Sequence, residues 1–368
     1  MKVVTVIGAR PQFVKAAVVS RIIAKTPGIT EVLVHTGQHF DDNMNRVFFD
    51  EMQIPDPDYY LGVHGLSHGA MTGRMLEKIE EVLTVEQPDW VLVYGDTNST
   101  LAGALAAKKL SIPVAHVEAG LRSFNMQMPE EVNRIVTDRL SDVLFCPTET
   151  AVENLQNEAF TNFPCKIVQC GDVMFDAARY YSQRSAQCST VLSTLKLHGT
   201  SFALCTLHRQ ENTDDPVRLR KVVEALNAIH RELQIVLPLH PRTRTKLEAF
   251  GLRLDVTVID PVGYFDMIEL LQASQIILTD SGGLQKEAYF FGKYCITMRR
   301  ETEWTELVTH GVNGLCDDDY ECMRRHIAEY VGKNMTAYHL YGDGNAGEII
   351  VKTLREQYVN DSKGFNNE

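Results

Sequence analysis

An α/β protein with two Rossmann-like domains is what this chain predicts, on three observations. Short Val/Ile/Leu-rich runs recur from end to end, many without strict alternation, as in strands covered on both faces. Helical patterns fall between most of them, giving the βαβαβ rhythm of parallel sheets with right-handed crossovers. The rhythm restarts near residue 170, and 368 residues are enough for two full cores.

In the first half, strands are expected over 2–7, 31–36, 89–94, 113–118, 142–146 and 166–170, with helices over 12–25, 71–85, 99–109, 129–140 and 151–157. Val3-Val4-Thr5-Val6-Ile7 runs into Gly8-Ala9-Arg10-Pro11, where Gly8 allows a tight turn and Pro11 suits the first helical position. Val91-Leu92-Val93-Tyr94 ends on Gly95-Asp96, and Asp96 taken alone reads as a helix cap. Val114-Ala115-His116-Val117 ends on Glu118, an acid at the end of a buried strand that needs a partner, with Arg122 the obvious one. Pro129 opens a helix with Glu130, Arg134 and Asp138 on one face and Val132, Ile135 and Val136 on the other. Taken alone, that is a solvated, salt-bridged stripe. Cys170-Gly171-Asp172-Val173 follows the last of these strands, and a hinge is placed at 165–175.

Residues 182–200 are polar, Ser-rich and low in pattern. A second series then gives strands at 202–207, 234–239, 255–259, 275–279 and 294–298, with helices at 216–231 and 283–291. A last helical segment, 347–358, can pack on either domain, and the polar tail from Asn360 to Glu368 is expected to fray. The domains are therefore set at 1–168 and 169–349, with a C-terminal helix over 350–368 as a candidate addition to the first.

Bulk properties exclude several classes of function. A net charge of −12 argues against non-specific binding to nucleic acid or anionic membrane. No apolar run reaches the ~18 residues of a membrane helix, and the chain starts directly on a strand pattern, so neither a membrane span nor a leader is expected. The eight cysteines form no C-x-x-C pair and no Cys/His cluster with zinc spacing, so reduced, mostly buried thiols in a cytoplasmic protein are expected and a metal is not.

Two loops have the character of phosphate sites. Gly8-Ala9-Arg10-Pro11 precedes a helix whose free N–H groups would face an anion, with Arg10 as a bidentate contact and Lys15 as a point charge. It lacks the G-x-G-x-x-G fingerprint of dinucleotide enzymes. Asp280-Ser281-Gly282-Gly283 repeats the device in the second half. Ser281 can donate, Gly282 and Gly283 allow close approach, and Glu287 lies on the following helix to accept from ribose hydroxyls. Asp96, Glu118 and Glu130 are three acids at strand ends and a helix start, the edge where α/β sheets bind ligands. His208 closes the strand 202–207 and can titrate near neutral pH.

Together these motifs resemble the non-hydrolysing UDP-N-acetylglucosamine 2-epimerases. The matching pieces are Gly8-Ala9-Arg10-Pro11, Gly37-Gln38-His39, Gly95-Asp96-Thr97, His116-Val117-Glu118-Ala119-Gly120-Leu121-Arg122 and Pro129-Glu130-Glu131-Val132-Asn133-Arg134. His208-Arg209, Asp280-Ser281-Gly282-Gly283-Leu284-Gln285-Lys286-Glu287-Ala288, Thr302-Glu303 and Tyr341-Gly342-Asp343-Gly344 follow in order. The resemblance implies a glycosyltransferase-B arrangement with the active site in the cleft between domains. It also implies inversion at C2 of a UDP-2-acetamido sugar through a 2-acetamidoglucal, without metal or cofactor, in a cytoplasmic homodimer. Asp96, Glu118, Glu130 and His208 would then handle protons at C2. Arg10, Lys15 and Ser281 would stabilise the leaving UDP, with Arg134, Arg209, Tyr264, Gly282 and Gly283 as further substrate contacts and Glu287 on the ribose.

The chain departs from the family pattern in places. The usual Thr-Glu-Arg-Pro-Glu is Thr302-Glu303-Trp304-Thr305-Glu306, leaving Arg299 or Arg300 to replace a diphosphate-side arginine. A Gln and a Phe near uracil align with Val262 and Met267, while Tyr264 remains, and the loop between Arg122 and Pro129 is shorter. The Arg-Gln pair of the bacterial allosteric site aligns near His64-Gly65 and is absent, so no such regulatory site is expected. These departures, with Ser123-Phe124-Asn125, resemble the branch acting on UDP-2,3-diacetamido-2,3-dideoxy-glucuronic acid for surface polysaccharide; UDP-GlcNAc is the alternative substrate. In that branch Arg122, Arg209 and Arg300 are candidates to meet the sugar carboxylate.

Overall fold

The computed structural model describes residues 1–38, 55–335 and 338–364. It forms two compact units, Met1–Ala177 with Leu340–Glu368, and Ala178–His339. The division falls inside the helix Val173–Cys188, beyond the expected boundary after 168. That helix and the short one at Val191–Thr194 occupy much of the stretch expected to lack pattern. Its packing positions include Ser185, fully buried and donating to Glu269 at 2.6 Å, so polar anchors hide the helical stripe.

In the first unit the strands are β1 (Lys2–Ile7), β2 (Thr30–His35), β3 (Tyr59–Tyr60), β4 (Trp90–Tyr94), β5 (Val114–Val117), β6 (Val143–Cys146) and β7 (Lys166–Gln169). They form one sheet in the order β3-β2-β1-β4-β5-β6-β7, and every pairing is parallel. The order reverses between β1 and β4, the switch point at which parallel sheets bind ligands. β3 is too short to announce itself in sequence. The helix Asn98–Lys109 presses small residues onto the sheet: a Cβ on Gly103 would lie 3.1 Å from Val93 and 3.3 Å from Val6. Val4, Val6, Val91 and Val93 are fully buried beneath it, each contributing roughly 1.5–3 kcal/mol.

The final helix, Ala346–Gly364, belongs to this unit and extends past the point where fraying was expected. Asp176 caps it, accepting from Ala346 N at 3.2 Å and Gly347 N at 2.9 Å. A Cβ on Gly347 would meet Ile22 at 2.7 Å, so the helix lies tight against the helix Arg10–Lys25. The Tyr341-Gly342-Asp343-Gly344 segment crosses Cys170-Gly171-Asp172: Asp172 N donates to Tyr341 O at 3.0 Å, and a Cβ on Gly171 would lie 2.8 Å from that oxygen.

In the second unit the strands are β8 (Phe202–Thr206), β9 (Gln234–Pro238), β10 (Thr257–Ile259), β11 (Ile276–Thr279), β12 (Cys295–Thr297) and β13 (Asn313–Leu315), ordered β10-β9-β8-β11-β12-β13 and parallel. The three-residue β13, with a glycine at its centre, is absent from the sequence reading. So are the helices Pro241–Ala249, Tyr264–Ala273 and Tyr320–Tyr330. Cys316 and Cys322 form a disulfide, which corrects the expectation of reduced thiols throughout. A turn through Asp317 at φ 53° brings their Cα atoms to 5.4 Å, and the spacing alone does not disclose it.

Candidate functional site

In the first unit, the loops after β1, β4 and β5 open on the same sheet edge. Asp96 follows β4, and its carboxylate pairs with Arg134. Burial pushes the Asp96 carboxyl above its ordinary value; Arg134 opposes this and the neighbouring Glu118 adds to it. Thr97, not Asp96, supplies the helix-capping oxygen, accepting from Thr100 N. This leaves the Asp96 side chain for its arginine.

Glu118 pairs with Lys15 rather than with Arg122, correcting the expected partner of each. Its backbone sits at φ 74°, a left-handed conformation unusual for a residue with a side chain. Gly95 provides the space: a Cβ there would lie 3.2 Å from Glu118 Oε2 and 3.6 Å from Lys15 Nζ. Lys15 is thus held over an acid at the strand ends.

The Gly8 loop also differs from expectation. The amides of Gly8 and Ala9 donate to Gln12 Oε1 at 2.8 and 3.0 Å, and Gln12 Nε2 reaches Tyr94 O at 2.8 Å. These N–H groups tie the β1 and β4 loops together instead of facing an anion. The Arg10 side chain and His39 lie outside the described residues.

The helix Pro129–Leu140 inverts the expected pattern. Asp138 and Glu131 are buried, whereas Val132 and Val136 are exposed. The polar face packs on the strand ends, where backbone groups need partners. Asp138 accepts from His116 Nδ1 at 2.7 Å, Arg122 at 2.7 Å and Gly120 N at 3.2 Å. Glu131 accepts from the amides of Ser123 and Phe124 and pairs with Arg134. Asn133 donates to Asp96 O at 3.0 Å. Glu130 is exposed at the helix start, and Arg134 bonds Glu131 and Asp96 rather than Glu130.

His116 is fully buried, with Nδ1 on Asp138 and Nε2 on the carbonyl of Gly95, each at 2.7 Å. Burial pushes the Asp138 carboxyl up, but the His116 hydrogen bond, His116 and Arg122 outweigh it and hold it below the ordinary value. Arg122 also binds Glu158 through two nitrogens at 2.6 and 2.9 Å, and its side chain is 1% exposed. Burial alone would weaken its hold on the proton; Glu158 and Asp138 raise it instead. Arg122 is therefore committed to protein carboxylates. Sequence reading did not single out the buried roles of His116, Glu131, Asn133 and Asp138. The available signal was the wrong-way polarity of this helix, with acids at 131 and 138 two turns apart.

In the second unit, His208 and Asp280 meet at the ends of β8 and β11, with His208 Nδ1 3.1 Å from Asp280 Oδ1. Asp280 is fully buried and also accepts from the amides of His208 and Arg209 and from Asn212. Burial raises its carboxyl, but the His208 contacts and the two amides outweigh this and hold it below the ordinary value. The imidazole is about half exposed and is oriented by a fixed anion.

Ser281 caps the helix Gly282–Phe290 through Leu284 N, so its oxygen accepts there and its hydrogen remains to be given. The glycines have different reasons to be small. A Cβ on Gly282 would strike Glu303 Oε1 at 2.1 Å, whereas one on Gly283 would meet nothing within 4 Å. Glu303 lies 2.8 Å from Arg299 and 3.6 Å from Arg209. Trp304 donates to Gly282 O at 2.9 Å and carries Lys286 over its ring at 4.0 Å. Arg300 is exposed and pairs with Asp317. Tyr264 starts its helix and packs edge-on to Tyr181. Burial raises its hydroxyl well above the ordinary value, with Glu287 adding to the shift.

The first unit thus gathers acids paired with cations, and the second a glycine helix start beside a histidine–aspartate pair. A sequence model described as UDP-N-acetylglucosamine 2-epimerase matches residues 21–355. The chain belongs to that family. It is 56% identical to the UDP-2,3-diacetamido-2,3-dideoxy-D-glucuronate 2-epimerase of Pseudomonas aeruginosa, over 96% of this chain and 99% of that one. A UDP-N-acetylglucosamine 2-epimerase of Methanococcus maripaludis is 41% identical over 96% and 98%. Among solved structures, the Methanocaldococcus jannaschii UDP-GlcNAc 2-epimerase in complex with UDP-GlcNAc and UDP is 40% identical with a TM-score of 0.84, over 97% of this chain and 100% of that one. The Neisseria meningitidis enzyme bound to UDP-GlcNAc is 32% identical with a TM-score of 0.85, over the same shares. Members of this epimerase family are isomerases. Among the described residues, no helix is long and apolar enough to cross a membrane.

Proposed function

We propose that this chain is a non-hydrolysing 2-epimerase converting UDP-2,3-diacetamido-2,3-dideoxy-glucuronic acid to its mannuronic epimer, for surface polysaccharide. The observation that carries the reading is the 56% identity, along nearly both whole chains, to an epimerase named for that sugar. Relatives named for UDP-N-acetylglucosamine stand at 46% and below, so that substrate is the second choice.

Direct removal of the C2 proton is hard because no carbonyl flanks it. As the C1–O bond breaks, UDP leaves with the electron pair, and the growing charge at C1 acidifies C2–H. A carboxylate takes the proton, and C1=C2 forms. Re-addition of UDP with protonation from the other face reverses each bond change and leaves C2 inverted. The step needs proton carriers for two faces and positive groups for the leaving diphosphate. Asp96, Glu118, Glu130 and His208 are assigned to the protons. Asp96 suits exchange because its raised carboxyl gains a proton more readily than a free one. Lys15, Arg10, Ser281 and the open side of Gly283 are assigned to the diphosphate, Glu287 to the ribose, and Tyr264 to the nucleoside. Arg209 and Arg300 are the groups left for the sugar carboxylate, since Arg122 is consumed inside its own unit. No cofactor enters the scheme. A cytoplasmic homodimer is the proposed working form, supported by family resemblance and checked by light scattering.

Incubation with each UDP-sugar in D₂O, followed by NMR, tests the reading. Deuterium at C2 and a mixture of UDP-linked epimers are expected, fastest with the diacetamido-glucuronate. Accumulation of free sugar would make it a hydrolysing epimerase. Sugar transfer without C2 label would make it a glycosyltransferase, and binding without turnover a nucleotide-sugar-binding protein.

A further inference from the structure

We propose that Cys316, Cys322 and His326 form a Cys₂His site for a thiophilic divalent cation such as Zn²⁺, occupied when the Cys316–Cys322 disulfide is open. One ligand atom from each of the three residues lies within 4.8 Å of the others. Ligand atoms of a tetrahedral zinc ion stand roughly 3.5 Å apart, so small side-chain rotations suffice. Two thiolates and an imidazole are the donors that zinc prefers.

The surroundings are built for such a set. Cys316 follows the edge strand β13 and is pinned by its amide to Thr297 O at 3.0 Å, with its side chain buried. Asp319 caps the next helix, accepting from the amides of Glu321 and Cys322. Cys322 therefore sits in the first turn, and His326 one turn further on the same face. Tyr294 hydroxyl holds His326 Nδ1 at 2.7 Å, the kind of outer partner that orients a metal-binding imidazole, and leaves Nε2 to meet an ion. Tyr294 and Tyr330 stack on each other at 3.9 Å, and the imidazole lies against that pair, 5.5 Å from the Tyr294 ring and 5.9 Å from the Tyr330 ring. Gly314 makes room for it: a Cβ there would lie 2.8 Å from His326 Cε1, 2.9 Å from Nε2 and 2.8 Å from the Tyr294 hydroxyl.

The chemistry balances without further reagents once the thiols are free. A dithiol reductant gives two electrons and two protons to the disulfide and becomes a disulfide itself. The two thiols then release their protons as two metal–sulfur bonds form. The fourth position on the ion stays open to water. Disulfide and metal states exclude one another, so the site couples ion binding to redox state. It lies wholly within the second unit and uses none of the groups assigned to the sugar.

Untagged, full-length protein reduced under nitrogen is titrated with Zn²⁺ against a chromophoric chelator, and with Co²⁺ as a spectroscopic probe. One ion per chain is expected, with a thiolate-to-cobalt charge-transfer band. Prior oxidation of the disulfide and the C316S and C322S variants should abolish it. Tyr294→Phe, which keeps the ring and its stacking, should weaken binding by about 10–100-fold. His326→Gln should change the cobalt spectrum. Absence of stoichiometric binding to the reduced protein would overturn the proposal, as would a cobalt band that survives loss of both cysteines. Circular dichroism confirms that each variant is folded, and epimerase activity plays no part in the outcome.

Discussion

Replacing Asp138 with asparagine should destabilise the first unit by about 3 kcal/mol at neutral pH while preserving side-chain shape. Asp138 is fully buried and binds His116, Arg122 and the Gly120 amide. Breaking a buried pair by removing one partner costs ~3–5 kcal/mol because the other charge is left behind. The lower end applies here, since Arg122 keeps Glu158 and the asparagine oxygen can still accept from Gly120. That loss is about two decades in the folding equilibrium.

The pH dependence has a definite sign. The Asp138 carboxyl is held below its ordinary value in the folded state. Its contribution is therefore complete above the unfolded value of about 3.9 and lost as pH falls through the folded one. The gap between wild type and D138N should be widest near neutrality and close in acid. The chain has two tryptophans, with Trp90 buried on β4 in the first unit and Trp304 in the second. In a Trp304→Phe background, guanidinium unfolding followed by fluorescence reports the first unit alone. A variant within about 1 kcal/mol of wild type at pH 7 would refute the buried-network reasoning, as would a gap that widens in acid.

Asp96→Asn, Glu118→Gln and Glu130→Gln should each lower turnover by about 10²–10⁴ with the fold intact by circular dichroism; near-normal rates in all three would return them to structural duty. Asp280→Asn should impair turnover at least as much as His208→Asn, because it removes the anion that orients the ring and weakens the acceptor of two backbone amides. An Asp280→Asn variant that keeps a higher kcat than His208→Asn, with a wild-type unfolding midpoint, would count against that. Gly120→Ala should cost at least about 3 kcal/mol, since it combines φ +79° with a Cβ 2.3 Å from Ala151 O. Gly28→Ala, at φ +83° but facing open space, should cost only about 1 kcal/mol. Similar losses in both would show that backbone strain, not space, governs these positions.

The apolar runs were enough to place β1, β4, β5, β6, β8, β9 and β11, because a parallel strand buried on both faces must be apolar along its length. Asp96, Glu118 and His208 stood out for a related reason: a charged or titratable group ending such a run needs a purpose. Elements without an apolar run of their own were not legible. β3 and β13 are too brief for periodicity, and the helix Val173–Cys188 hides polar packing positions. The motifs also said which residues matter without saying what they touch. Only the tertiary structure turned Lys15 toward Glu118, gave Arg122 to Asp138 and Glu158, and folded the polar face of the helix Pro129–Leu140 inward. Likewise, only the turn through Asp317 brought Cys316 and Cys322 together. Composition along a segment reports its own burial, and so the strands and their chemically loaded ends were written in the sequence. Pairing between charged groups depends on side chains from separate segments arriving at one place, and that was decided by the fold.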